Sequence, residues 1–537
     1  MRAHSLVISL SMIHIVSVVH AATNSSEKPK LANEQVLNIG NTDDPKTLDP
    51  QKCNESTCNA IIKQLFEGLV TTDLSGNIIP ASAEKWTISK DGKIYTFYLR
   101  KNLYWSDKSL VSAKDFVYSF QRLVDPKTAS EQATLLEPIL NGTEIIVGKK
   151  PISSLGVRAL NDQTLEIILS KPAASFLENL TVTNTFPVQE KNIIKYKENF
   201  TQVNNLISNG PYHLIYRKVG DKVTVVRNPN YWNSKEYHIE KINFYSVTDQ
   251  NTELSMYEAG QLDITGTIPP NKFKQLKSKY NNELINNPYL ASYVYIFNTQ
   301  KPPLNNAKLR RALSIAIDRE IIVNAVLGMG QKPLYDIVPY GIKNYTQNSV
   351  YWQSWPRQKQ LAEAKKLYLE AGFSPSNPLK IHILYNTNEA HKKIATSVAT
   401  MWKTNLGVQV ETINEEWKTM LDKRSNGDFE VLRLGNIANI NDASDFLNPY
   451  RSFDPSNDPK YRNPEYDKLV NLALYEMDLG KRKILLENAS RLIQDDVPLA
   501  PIYSYVSSYL KKSYVASFEK NSMDKYTLQG VFLTEKK

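Results

Sequence analysis

Cysteine is nearly absent, with only Cys53 and Cys58 in 537 residues, so neither a disulfide framework nor a cysteine-rich metal cluster can organise this fold. Histidine is almost as sparse. Of seven, His4, His14 and His20 fall in the first 21 residues, while His213, His238, His382 and His391 stand singly, with no HExxH and no pair at metal-ligand spacing. No GxSxG or phosphate-binding loop occurs; Gly328-Met329-Gly330-Gln331-Lys332 lacks the length and the Ser/Thr that such a loop needs. Zinc hydrolysis and nucleotide chemistry therefore have no residues to carry them, and no metal or other cofactor is expected. A dispersed Ser-His-Asp set leaves a secreted hydrolase as the alternative from another class. Internal repeats, heptads and low-complexity linkers are missing too, so any domains should share several chain crossings rather than hang like beads.

After the N-terminus there is no long apolar run, which excludes a helical membrane anchor in the remaining chain. The start itself is different. Arg2 precedes an apolar stretch from Leu6 to Val19, which ends in Ala21 and Ala22 and is too short to span a bilayer; this is the layout of a cleavable export signal over residues 1–21. No cysteine closes the stretch, so a lipid anchor is not expected, and the mature protein should be free in the periplasm. In that oxidising compartment Cys53 and Cys58, five apart in a polar loop, can close a small ring. Their spacing is not the Cys-x-x-Cys of exchange chemistry. The formal charge of +10 is dispersed over the chain, with Lys doublets at Lys149, Lys365, Lys392 and Lys511, which argues for a solvated basic surface rather than nucleic-acid binding.

Periodicity places several elements. "KWTISKDGKIYTFYLRKNLYW" reads as a hairpin about Asp91-Gly92, with a type I′ turn. Ser112 three before Asp115 predicts a capping box opening a helix. Leu309, Ala312, Leu313, Ala316 and Ile317 predict one helix running to Gly328 and Gly330. "RQKQLAEAKKLYLEAGF", "LKIHILYN" and a segment from about His391 through "IATSVATMWKTNLG" read as helix, strand and helix, hence an α/β lobe in the C-terminal half.

The block "LFEGLVTTDLSGNIIPASAEKWTISKDGKIYTFYLRKNLYWSDKSLVSAKDFVYSFQRLVDPKTAS" resembles the N-terminal signature of the extracellular solute-binding proteins of the dipeptide/oligopeptide/nickel class. "NTQKPPLNNAKLRRALSIAIDREIIVNAV", "LKIHILYNTNEAHKKIA" and "NEEWKTMLDKR" are similar to oligopeptide-binding proteins of Gram-negative bacteria, and the likeness runs through the whole mature chain. It implies an α/β, three-domain, two-lobed clamshell: residues 22–64 with 189–290 and 507–537 as the main domain of lobe I, 65–188 as an extra domain on that lobe, and 291–506 as lobe II. It also implies a monomeric receptor that passes a peptide to a membrane ABC permease of the oligopeptide type. An extended peptide can be held as an added strand, by backbone hydrogen bonds that ignore its sequence.

Residue by residue, the resemblance implies that the loop Arg433, Leu434, Gly435, Asn436, Ile437 to Asn439 lies along the ligand, with Arg433 and His391 at its carboxylate end. Asn386 and Trp417 would line the cavity, Tyr505 would approach the ligand backbone, and Asn54, Glu55 and Ser56 would face it from the other lobe. Tyr289 and Tyr293 are expected to pack. Three departures stand out. A lysine used for the shortest ligands falls at Leu327, a cysteine pair is replaced by Ala291 and Ile437, and the acid that would meet an α-ammonium is Asn439. Three answers to the last stay open: Asp442 or Asp445 substitutes; the ligand has no free ammonium, as in a blocked or cell-wall peptide; or the ligand is no peptide at all, as haem, glutathione or a metal chelate.

Overall fold

Two long strands tie the molecule together in its computed structural model, which describes residues 30–536. The expected export signal lies outside the described residues. Leu284–Phe297 and Leu499–Leu510 run antiparallel, but their ends serve different surroundings. At one end the Leu510 amide donates to Thr265 Oγ1 and the Thr265 amide to the Leu510 carbonyl, each at 2.9 Å. At the other, Phe297 and Leu499 enter a six-stranded sheet. Between them the register slips from Pro288 to Ser292. Pro288 offers no N–H to a ladder, so an interruption is natural there.

The six-stranded sheet runs in the order Lys332–Pro333, Leu499–Leu510, Leu284–Phe297, Val431–Ile437, Lys380–Asn386 and Gln409–Glu415. Lys380–Asn386 pairs parallel to Gln409–Glu415, and the helix Glu389–Leu406 makes the crossover that a parallel pair requires. Asn388 caps that helix through the amides of Ala390 and His391, and Gly407 ends it at φ +78°. Both sheet faces are covered. Tyr293, Tyr295 and Phe297 pack among the helices Ala307–Ala316, Arg357–Glu370 and Glu389–Leu406, whereas Val294 and Ile296 pack toward Trp417–Asn426, Pro464–Tyr475 and Leu479–Asp496. The alternation of the strand sends successive side chains to opposite cores.

Beside it stand two small two-stranded sheets, Val70–Thr72 with Ile78–Pro80 and Val515–Ala516 with Phe532–Leu533, and two four-stranded ones. One takes the order Val36–Gly40, Lys241–Tyr245, Lys222–Arg227, Tyr212–Lys218; the other is the antiparallel Ala83–Ile88, Ile94–Leu99, Thr164–Ile168, Val157–Asn161. They share one buried core, in which Leu37 and Ile242 of the first join Phe97 and Leu165 of the second. The capping box at Ser112 and Asp115 forms as expected.

Two local expectations need correction. The hairpin does turn at Asp91-Gly92, but only Gly92 has positive φ (+71°) and its amide donates to the Ser89 carbonyl at 2.9 Å, so the turn is not type I′, which needs positive φ at both central residues. The single helix expected to run from the Leu309–Ile317 stripe to Gly328 and Gly330 is broken. Ala307–Ala316 stops at Ile317, Asp318 caps a new turn by accepting from the Ile321 amide, and a π-helical segment Ile322–Leu327 carries on to Gly328. An acid able to bond the local backbone competes with helix continuation there.

Candidate functional site

The strand Val431–Ile437 is paired along its whole length with Leu284–Phe297 on one side. On the other, Lys380–Asn386 meets it only at Val431 and Leu432. Residues 433–437 thus present an open strand edge inside the protein, a template for an added extended chain. Ala291 and Ile437 stand directly opposite each other at the end of the paired side, the two positions where the resemblance implies a lost cysteine pair.

Arg433 is nearly buried, at 7% exposure. Its guanidinium donates to Asn386 Oδ1 at 3.2 Å and to the Tyr505 hydroxyl at 2.5 Å, and lies 4.8 Å from the Tyr293 ring centroid. Among the described residues no carboxylate lies within ion-pair reach, and its Nε has no acceptor. Burial opposes the charge, but the surrounding tyrosines outweigh burial and raise its pKa. His391 sits beside it, 5.6 Å from Tyr293 between ring centroids, with Nδ1 buried and unpartnered. Burial, and then the charge of Arg433, hold the imidazole well below its ordinary pKa, so it is neutral. His391, half-buried, thus stands in the same polar pocket as Arg433, whose partners are Asn386 and Tyr505. Gly435 is two residues on. A Cβ there would meet the Tyr505 hydroxyl at 3.1 Å and Arg433 Nη2 at 3.4 Å, so glycine leaves room for that pair.

At the far end of the edge the acids are spoken for. Asp442 accepts from Arg482 at 2.6 and 2.8 Å; burial would raise its pKa, but Arg482 holds it below the ordinary value. Asp445 accepts from the amides of Asn439 and, at 3.3 Å, Ile440, and burial pushes it up to about 6. The Asn439 carbonyl accepts from Lys525. Nothing in the sequence around Lys525 marked it, because it lies 86 residues away.

Two of the other expected residues, Glu55 and Trp417, meet each other. Glu55, 6% exposed, accepts from Trp417 Nε1 across the cleft and from the Lys46 amide at 2.6 Å; burial raises its pKa. Asn54 is half-buried and Ser56 exposed. Cys53 and Cys58 form a disulfide, Cα atoms 6.0 Å apart, directly bracketing this segment. Leu434 is buried; Asn436 bonds the Tyr450 hydroxyl at 3.0 Å. Tyr289 and Tyr293 pack as expected, though Tyr293 also forms the platform under Arg433. Leu327 is buried and lines a separate pocket of about 680 Å³ with Lys274, Lys392 and Lys393. Further ion pairs join segments far apart in sequence: Lys46 to Asp422 and Glu137 to Arg451, both at 2.7 Å, and Glu131 to Arg424.

Residues 77–458 match the model of the bacterial extracellular solute-binding proteins, family 5 (middle). The chain belongs to that family. It is 38% identical over 523 residues to the periplasmic oligopeptide-binding protein OppA of Salmonella typhimurium, covering 96% of each chain. It is also 38% identical over 525 residues to the periplasmic murein peptide-binding protein MppA of Escherichia coli, covering 97% of each. Among solved structures, Haemophilus influenzae OppA in complex with RPPGFSPFR is 36% identical and superimposes at a TM-score of 0.91, over 94% of this chain and 100% of that one. The unliganded open form of E. coli MppA, 37% identical over 95% and 99%, reaches only 0.65. Family 5 proteins are solute-binding proteins, so this α/β two-lobed chain is a binding protein and not an enzyme.

Proposed function

We propose that the protein captures peptides or peptide-like ligands between its lobes in the periplasm and delivers them to a membrane ABC importer of the oligopeptide type. The observation that carries this reading is the Arg433 pocket: a buried guanidinium with no carboxylate partner, opening on an unpaired strand edge. A buried charge is retained when something pairs with it, and a ligand carboxylate is the missing partner. Asn386, His391 and Tyr505 then orient that carboxylate, Leu434 to Ile437 offer backbone bonds, and Asn54, Glu55, Ser56 and Trp417 close over it.

The lobes move about the interrupted strands, with residues 22–64, 189–290 and 507–537 as the lobe I main domain, 65–188 as the extra domain and 291–506 as lobe II. The mature chain, released after residue 21, works as a free monomer. The test is native mass spectrometry of protein purified from the periplasm, followed by titration of the stripped protein with tri- to pentapeptides. Co-purified peptides, or saturable binding that is lost when the peptide's C-terminal carboxylate is amidated, supports the reading; absence of both refutes it.

A further inference from the structure

A cavity of about 240 Å³ lies in the segment read as lobe II, apart from the strand edge. It is bordered by the helix Ala307–Ala316, the C-terminal end of the helix Leu479–Asp496, the loop from Tyr335 to Trp352 and the start of the strand Leu499–Leu510. None of Arg433, Asn386, His391 and Tyr505 borders it. At its base Arg319, 2% exposed, stands beside Ser314, 5% exposed. Arg319 Nε donates to the carbonyls of Leu334 and Pro501 at 3.0 and 2.8 Å, Nη1 to those of Ser314 and Ile317 at 3.1 and 3.4 Å, and Nη2 to the Ser314 hydroxyl at 3.1 Å. A guanidinium has five N–H groups, so one on Nη2 is left over. The Ser314 hydroxyl accepts from Arg319 and, among the described residues, donates to nothing. No carboxylate among the described residues is within ion-pair reach of Arg319; Asp318, its neighbour in sequence, pairs with Arg357 at 3.6 Å. The guanidinium lies 4.8 Å from the Tyr335 ring centroid and 5.3 Å from a Trp352 one, which eases the burial of its charge without supplying an anion. Burial pulls its pKa down to about 10. Carbonyl partners alone mark a core arginine: Arg310, 5% exposed, donates to the Val497, Leu304 and Asp496 carbonyls and does not border the cavity. Arg319 differs in having open space and two unused donors beside it.

The rest of the lining divides by depth. Its buried part is apolar, with Ile337, Ile493, Val497 and Leu499. Toward solvent it is cationic: Arg311 donates to the Asp495 carbonyl, and the exposed Arg491 donates to Asn348 Oδ1 at 3.4 Å. Asp495 is the one acid among the described residues that line the cavity, against three arginines. We infer that this cavity binds a small monocarboxylate with a compact apolar body, its carboxylate accepting from Arg319 and Ser314 and its body against Ile337, Ile493 and Val497, at a site separate from the one at Arg433. Space sets the size: at about 30 Å³ per water the cavity has room for about eight waters, or for a ligand of about ten non-hydrogen atoms. An inorganic anion would leave the apolar wall uncovered, and a neutral ligand would leave the buried charge without a counter-ion.

The experiment uses the mature protein, stripped of ligand by unfolding and refolding, and fluorine NMR with 4-fluorophenylacetate as the probe. Saturable line broadening is expected with a Kd of about 5 mM or tighter, in line with a ligand of this size. The neutral 4-fluorophenylacetamide is expected to bind at least about tenfold more weakly, and Ser314→Ala, which removes one donor without adding bulk, to weaken the acid about tenfold. Arg491→Gln, at an exposed position that does not bear on folding, is expected to weaken it about threefold. Arg433→Met should leave the probe's affinity unchanged, which separates this site from the strand edge whether or not peptides bind there. Absence of saturable binding, equal binding of acid and amide, displacement by inorganic phosphate as effective as by unlabelled phenylacetate, or loss of binding in Arg433→Met while Ser314→Ala has no effect each overturns the inference.

Discussion

Replacing Arg433 by methionine separates a ligand-facing arginine from a structural one. Within the protein the guanidinium has two neutral partners, Asn386 Oδ1 and the Tyr505 hydroxyl, and among the described residues no carboxylate. Removing it deletes two hydrogen bonds but also relieves an uncompensated buried charge. Those effects oppose each other, so the change in ligand-free stability should stay within about 2 kcal/mol. Binding has no such compensation. Truncating one partner of a buried charge pair costs about 2–5 kcal/mol, and at about 1.4 kcal/mol per factor of ten the affinity for a peptide with a free C-terminal carboxylate should fall by about 30-fold to about 4,000-fold. The C-terminal amide of the same peptide should bind the wild type weakly, and Arg433→Met should cost it little further. Isothermal titration of the four combinations gives the coupling, and denaturant unfolding of the ligand-free proteins gives the stability. If Arg433→Met destabilises the ligand-free protein by about 4 kcal/mol and weakens acid and amide equally, the arginine is structural and the argument from its missing partner is wrong.

Three other perturbations follow from the packing. Glu253 is fully buried, and burial raises it to about 7 although the Gly266 amide donates to it at 2.7 Å. With the folded value above the unfolded one, its contribution is complete below about pH 4.5 and disappears as pH rises through 7, so Glu253→Gln should match wild type at pH 4 and exceed its stability at pH 8 by up to ~3 kcal/mol; parallel unfolding profiles would exclude this. Glu137, in the segment read as the extra domain, pairs across the cleft with the fully buried Arg451, which also has Asp454 at 3.4 Å in its own lobe. Glu137→Gln should therefore leave folding intact, raise the ligand dissociation rate about tenfold and enlarge the liganded radius of gyration; an unchanged rate would show that the pair does not hold the lobes closed. The Cys53–Cys58 ring is short, so replacing both by serine should cost ~2 kcal/mol on the chain-entropy account, and two titratable thiols in native protein would show that the ring is not closed.

The elements were legible wherever local chemistry and periodicity agreed. Ser112 and Asp115 form their box because both partners lie within one helical turn. The helix 357–370 and the strand 380–386 show their period in neighbouring residues. The type I′ turn and the unbroken helix to Gly328 do not form, because a turn's φ angles and an acid's competition for backbone amides depend on where the flanking chain is held. Arg433, Asn386, His391 and Tyr505 were nameable from the family resemblance, and composition and spacing alone do not single them out. The packing of His391 against Tyr293 arises because the fold sets the first turn of the helix Glu389–Leu406 against the strand Leu284–Phe297.

The sequence by itself determined the class of molecule: no catalytic or metal motif, an export-type start, two cysteines close enough to close a ring, and the text of a solute-binding family. It also marked Asn439 as the position where an acid would be wanted. What stands around Asn439 was decided by tertiary structure alone. Lys525 reaches its carbonyl from the C-terminal segment, while Arg482 takes Asp442 and the loop's own amides take Asp445. Charge complementarity is a property of distances under about 10 Å between groups hundreds of residues apart, and no local pattern in the chain encodes those distances.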